Sequence, residues 1–384
     1  MGQEVVSFEE LLQQYRSKGI NLMAFITTPW HYYGVLSFVL QQQQEHKRVN
    51  GLILVPQGYG KALENITIPT IKGVQLNILW VTTRSVAKTF PQKLRAKLCY
   101  YRFFWNRPRQ DNVFFLSPVA PQYWLMSKLE DAWGRSAIGV VIDEGLGAYM
   151  RSPWGWAKEV FHNTRSWKQF LGGLLQYGVF NPLRNHLLKR SHRLEERPLL
   201  LPGVREKFLP NWQVSHLYRK AFQLQNIPVS SKLKRQYEKA VVISNQLYHT
   251  TGQLQQDADL KLYQHICDFC RQKNIPVVFK PHPREHTITR YQSLDCVMDT
   301  DYQTAQEQLF SQLEQLPRCV VGFTTTTLVT SSVFYGIPTI SLAKLLEPQE
   351  ISHDFKVELD RFAACFEGMV KLPETIGELE QLFT

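Results

Sequence analysis

The stretch Ile275-Pro-Val-Val-Phe-Lys-Pro-His-Pro-Arg-Glu285 decides how this chain is read. Val277-Val278-Phe279 is an apolar run too short for a helix and bounded by prolines, which marks a buried strand. Pro281 and Pro283 stiffen the turn that follows, so Lys280, His282 and Arg284 are displayed at the strand's carboxyl end. Open α/β sheets bind ligands at that end. Three potential cations at one strand terminus repel one another unless an anion neutralises them, and a phosphate suits such a cluster. The plainer reading is a solvated basic turn.

Outward from this stretch, the second half of the chain alternates strands and helices. Strands are expected at 240–244, 277–279, 319–322 and 339–342, with helices at 257–273, 304–315 and 326–335 between them. The first half follows the same rule, with strands at 21–27, 51–55, 76–81, 113–116 and 139–142. Its helices are expected at 8–18, 33–44, 88–104 and 121–133. Strands that are apolar throughout and alternate with helices imply parallel sheets covered on both faces. The residues between are rich in Trp, Arg and Lys and lack strand periodicity. The expectation is an α/β protein with a Rossmann-like domain at 1–150, a helical insertion or linker at 151–227, and a second Rossmann-like domain at 228–384.

The chain has 384 residues, enough for two cores, and 44% of them are apolar. Its 44 Lys and Arg against 33 Asp and Glu leave a net charge of +11, which points to anionic partners. The six scattered cysteines, and an N-terminus unlike a signal peptide, suggest a reducing cytoplasm. Cys267-Asp-Phe-Cys270 has metal-ligand spacing but lies in a helical pattern with no second pair, so no metal is assigned to it. No apolar run approaches the roughly 20 residues that span a bilayer.

Two further stretches carry chemistry. Val140-Val-Ile-Asp-Glu-Gly-Leu-Gly-Ala-Tyr149 is a buried strand ending in two carboxylates, Asp143 and Glu144, with Gly145 and Gly147 allowing a tight turn. A carboxylate shielded from water there has its proton affinity raised and can serve as a base. In the third stretch, 319–338, a strand stops at Gly322. Thr324, Thr325, Thr326 and Thr327 then lead into a helix that holds Ser331 and Ser332. Hydroxyls beside the unpaired N–H groups of a helix start form an anion site, although plain N-capping by Thr is the simpler explanation.

Together, Asp143-Glu144-Gly145, His282-Pro283 and the hydroxyl run resemble the motifs of the bacterial sialyltransferases. The lipooligosaccharide sialyltransferase and capsule polysialyltransferase families share a D/E-D/E-G triplet, an H-P pair and a Ser/Thr pair. The third motif departs from that pattern, since Thr325-Thr326 stands where Ser-Thr is usual. The resemblance implies a GT-B fold of two Rossmann-like domains, and CMP-sialic acid as co-substrate without a further cofactor. It makes Asp143 the base that deprotonates the acceptor hydroxyl. His282 becomes the group that binds, and protonates, the departing CMP phosphate.

On this reading Lys280, Pro283, Arg284, Gly322, the four threonines, Ser331 and Ser332 surround the donor phosphate. Single displacement would invert the anomeric configuration. Metal independence is expected, on the reading that no D-x-D triplet of the type that holds a nucleotide-bound divalent ion is present. CMP-Kdo or CMP-pseudaminic acid would present the same phosphate and 2-keto carboxylate. A nucleic-acid-binding protein, suggested by aromatic and basic residues at 100–107 and 154–219, is the rival from another class, but no recognised nucleic-acid motif supports it. The acceptor is expected to be a glycan, lipid-linked if Trp154, Trp156, Phe161, Trp167, Phe170, Leu171, Leu174 and Leu175 with Lys158, Arg165 and Lys168 meet an anionic membrane. Packing of these aromatics between domains is the alternative.

Overall fold

A computed structural model of the chain describes residues 5–57, 63, 66–82, 111–118, 123–150, 157, 165–204, 207–225, 229–249, 251–255, 257–282, 285, 288–301 and 304–384. The helix expected at 88–104, as well as Pro283 and Arg284, lies outside these residues. The chain divides into two compact units, 1–199 and 200–384.

In the first unit, β1 (Val5–Ser7), β2 (Leu22–Phe25), β3 (Val49–Pro56), β4 (Val74–Thr82), β5 (Asn112–Pro118), β6 (Ser136–Ile142) and β7 (Leu194–Glu196) form one sheet. Its order is β1-β4-β3-β2-β5-β6-β7, and every pairing in it is parallel. The chain lays strands to one side of β2, then returns to lay β5 and β6 on the other, so a crevice opens at the carboxyl ends of β2 and β5. Helix α1 (Phe8–Gln14) begins with a capping box in which Ser7 Oγ accepts from Glu10 N and Glu10 Oε2 accepts from Ser7 N. Phe8, Leu11 and Leu12 of α1 pack with Met23, Phe115 and Leu129 in one core. Helix α2 (Pro29–Gln44) starts from Thr28, with Pro29 in its first turn. The helix α3 (Tyr123–Trp133) precedes β6, and the short α4 (Gly147–Met150) follows it.

The second unit opens with the antiparallel pair β8 (Leu200–Pro202) and β9 (Phe208–Pro210). Its main sheet runs β12-β11-β10-β13-β14, built from β10 (Val241–Ser244), β11 (Val277–Lys280), β12 (Val297–Met298), β13 (Cys319–Gly322) and β14 (Thr339–Ser341). All its pairings are parallel, and the order reverses between β10 and β13. Val241, Ile243, Phe279, Val321 and Ile340 are its buried centre. The expected α/β class, two Rossmann-like units with parallel sheets in the manner of GT-B, is the architecture of this chain.

Within the stretch expected at 151–227, the described residues divide between the two units. The helices α5 (Trp167–Leu175) and α6 (Asn181–Arg190), joined by a π-turn at Gln176–Phe180, lead into β7, where Leu194 pairs with Gly139. Helix α7 (Trp212–Leu224) belongs instead to the second unit, with Tyr218 stacked 6.1 Å from Phe334. Strands β1 and β12 were too short to leave a periodic signal. The helix expected at 304–315 is confined to α10 (Gln306–Phe310), after which Ser311 Oγ turns back onto the carbonyl of Gln308.

Candidate functional residues of each unit

Each unit carries its polar groups at the carboxyl ends of its strands. In the first unit Asp143 directly follows β6 and is only 5% exposed. Its Oδ1 accepts the amide of Gly145 at 2.7 Å, which the positive φ of Gly145 (104°) makes possible. Its Oδ2 accepts from the Tyr149 hydroxyl and from the amide of Leu199 at 3.1 Å. Burial raises the proton affinity of Asp143, and the bonds from Tyr149, Leu199, Gly145 and Trp30 offset part of that rise. Glu144 beside it is half-buried. Gly147 opens α4, the turn of helix that brings Tyr149 back over the strand end.

Near the start of α2, His31 is buried, and its Nδ1 accepts from the Thr27 amide at 3.2 Å. Burial pushes its imidazole down to about 4, so it is neutral at physiological pH. Trp30, His31, Tyr149 and Leu199 were not among the expected site residues. Tyr149 alone carried a signal, since it closes the D-E-G stretch six residues after Asp143.

In the second unit Lys280 ends β11. It is 8% exposed, and its Nζ donates to Asp299 Oδ2 at 2.8 Å and to the Asp301 carbonyl. Asp299 also accepts from the hydroxyl of Tyr237, the last residue of α8 (Ser231–Tyr237), at 2.5 Å. The cation is therefore neutralised by a carboxylate at the end of β12 and braces the turn. His282, two residues on, is half-buried, and its carbonyl accepts the Glu285 amide at 2.9 Å.

The hydroxyl run splits between inside and outside. Thr324 is held by Tyr248, whose hydroxyl accepts its amide at 2.9 Å, and by Glu358. Thr325 is fully buried as the N-cap of α11 (Thr326–Tyr335), its Oγ1 accepting from Leu328 N. Thr326 and Thr327 are part-exposed at the helix start. Ser331 is fully buried, and Ser332 Oγ reaches the Met369 carbonyl at 3.4 Å. Gly322 is a packing glycine, for a Cβ there would stand 2.8 Å from the carbonyl oxygen of Ser244.

At the end of β10, Asn245 belongs to a buried network. It bonds the hydroxyls of Tyr263 and Tyr291, and Tyr291 donates to Asp259. Arg290 grips both oxygens of Asp259 at 2.7 Å. D-x-D triplets do occur, at Asp257-Ala258-Asp259 and Asp299-Thr300-Asp301. Asp257 and Asp259 pair with Arg290, and Asp299 with Lys280, so these carboxylates serve as ion-pair partners. Cys267 and Cys270 are free thiols buried on α9 (Ala258–Gln272).

Two doubly wound units, one presenting a buried carboxylate and the other an imidazole and hydroxyls, fit the class of two-domain α/β glycosyltransferases. Residues 22–344 match the sequence profile of the alpha-2,8-polysialyltransferase (POLYST) family. The chain belongs to that family, and it is a glycosyltransferase of sialyltransferase type. No curated protein matches the sequence.

Similar solved structures include UDP-GlcNAc 2-epimerase from Methanocaldococcus jannaschii, at TM-score 0.45 and 10% identity, covering 99% of this chain and 91% of that one. The calicheamicin glycosyltransferase CalG4 has TM-score 0.38 and 14% identity over 100% and 91% of the two chains. MurG from Acinetobacter baumannii has TM-score 0.38 and 13% identity over 100% and 90%. These are weak likenesses of chain path, and no chemistry follows from them.

Proposed function

We propose that the protein is an inverting sialyltransferase. It takes a sialic acid from its CMP-activated donor and adds it to a glycan of a cell-surface polysaccharide or lipooligosaccharide at the cytoplasmic face of the inner membrane. The observation that carries this reading is Asp143, a buried carboxylate with raised proton affinity at a strand's carboxyl end, in a chain of the polysialyltransferase family. A carboxylate so placed takes a proton more readily than one in water. The acceptor hydroxyl gives its proton to Asp143 as its oxygen bonds to the anomeric carbon. The bond from that carbon to the phosphate oxygen breaks, and its electron pair leaves with CMP. Glu144 lies beside the base.

His282 donates to the departing phosphate, and the part-exposed Thr326 and Thr327 hydroxyls, with the N–H groups of the α11 start, offset its charge. Pro283 and Arg284, next in sequence to His282, are assigned to the same phosphate. Lys280 acts through its pair with Asp299 by holding that turn. Thr324, Thr325, Ser331 and Ser332 shape the helix behind it. The reading involves no metal and no cofactor beyond the donor.

Thermal melting with nucleotides tests it. A ligand that binds only the folded chain stabilises it by about 2.7 kcal/mol at a hundredfold excess over its dissociation constant. CMP is expected to raise the melting temperature more than UDP or GDP does, and His282→Ala and Thr326→Val are expected to reduce the rise. A larger shift with UDP or GDP would overturn the CMP assignment. CMP release from CMP-linked sialic acid, Kdo and pseudaminic acid then names the sugar.

A further inference from the structure

The helical run α5, π-turn and α6 leaves an apolar stripe uncovered. Trp167 is 68% exposed, Leu171 55%, Leu175 51%, Val179 51% and Leu183 53%. These residues fall on every fourth position. A straight α-helix advances about 100° per residue, so such a series drifts by about 40° at each step and winds off its face. The π-turn at Gln176–Phe180 advances less per residue. It rewinds the drift and returns Val179 and Leu183 to the line of Leu171 and Leu175.

The opposite side is anchored. Phe170 and Leu188 are buried, and the Tyr123 hydroxyl of α3 donates to Asn185. Exposed apolar area of this extent, in a line and backed by a firm attachment, marks an interaction surface.

Charge selects the partner. From 165 to 194 the sequence has Arg165, Lys168, Arg184, Lys189, Arg190 and Arg193 and no Asp or Glu. Arg165, Lys168 and Arg190 are exposed around the stripe, while Lys189 pairs with Glu196 and Arg193 with Glu130. A second copy would bring an equally basic stripe against it and be repelled, and an apolar stripe has no use for a nucleic-acid backbone. Anionic headgroups over acyl chains complement both features. The run of 24 residues is about 36 Å long, and its Trp, Leu and Val side chains with their flanking cations suit it to lie in the interface.

We propose that this face, built on Trp167, Leu171, Leu175, Val179 and Leu183 with Lys168 and Arg190, docks flat on an anionic bilayer. It holds the first unit at the membrane surface. The inference is independent of the donor assigned above.

The test is flotation of the full chain with vesicles of phosphatidylcholine, with and without phosphatidylglycerol. The protein is expected to float with the anionic vesicles at low salt, to stay down with the neutral ones, and to be released by salt. The triple variant Leu171→Glu/Leu175→Glu/Val179→Glu is expected to lose at least about tenfold in vesicle affinity. Its melting temperature and its response to CMP should be unchanged, because the three side chains are exposed. Lys168→Gln/Arg190→Gln, which leaves the apolar stripe alone, is expected to weaken binding and flatten its salt dependence. Failure of the wild-type chain to float with anionic vesicles overturns the proposal, as does wild-type flotation of the triple variant. A wild-type dimer that the triple variant dissociates would assign the face to a second copy and overturn it too.

Discussion

Asp143 and His31 lie on the same unit and are driven in opposite directions by the same cause. Burial disfavours whichever form is charged. For Asp143 this raises the folded-state value above the ordinary 3.8, so the stability it contributes is present at low pH and is lost as pH rises toward that raised value. For His31 it lowers the value from 6.5 to about 4, so its contribution is full above 6.5 and is lost as pH falls toward 4. The second effect amounts to about 3 kcal/mol at most. One series of melts against pH reads both. Asp143→Asn should gain on the wild type as pH rises above about 4 while losing at least about a hundredfold in transfer rate. His31→Asn, which keeps an acceptor for the Thr27 amide, should flatten the acid limb below pH 6.5. If the acid limb keeps its slope in His31→Asn, another group titrates there.

At the scale of elements, the second unit depends on how closely the end of β13 approaches the end of β10. Gly322 lets Ser244's carbonyl come where a Cβ would stand. The obstructing atom is backbone, which cannot swing aside as a long side chain would. Gly322→Ala is therefore expected to cost about 1–3 kcal/mol in urea unfolding, and a change under about 0.5 kcal/mol would show that the β10–β13 contact yields. The same junction sets the direction of the four threonines. Once Thr325 turns inward to cap α11, helical geometry leaves Thr326 and Thr327 on the outside.

At the scale of the whole molecule, two units with separate cores, 1–199 and 200–384, predict separable responses to ligand. Scanning calorimetry with CMP is expected to move the transition of the second unit upward and leave that of the first nearly in place. Equal movement of both would place donor contacts on each unit. No helix among the described residues is long and apolar enough to cross a membrane.

What the sequence by itself determined is whatever local pattern encodes: apolar strands such as Val277–Lys280, their alternation with helices, and Asp143 placed at the end of β6 before a glycine turn. These follow from periodicity and backbone preference within a dozen residues. Tertiary structure decided the partners. Lys280 reads as a displayed cation until Asp299, 19 residues on, takes its charge. Asp143 reads as a bare carboxylate until Tyr149 and the amide of Leu199, 56 residues away, close over it. The Trp-rich middle reads as one segment until β7 joins β6 and α7 packs on α11. Apart from Tyr149, six residues from Asp143, the deciding contacts join residues whose distance in sequence carries no periodic signal. Burial then makes an unpaired charge too costly to leave, so the fold supplies the partner that the local pattern cannot name.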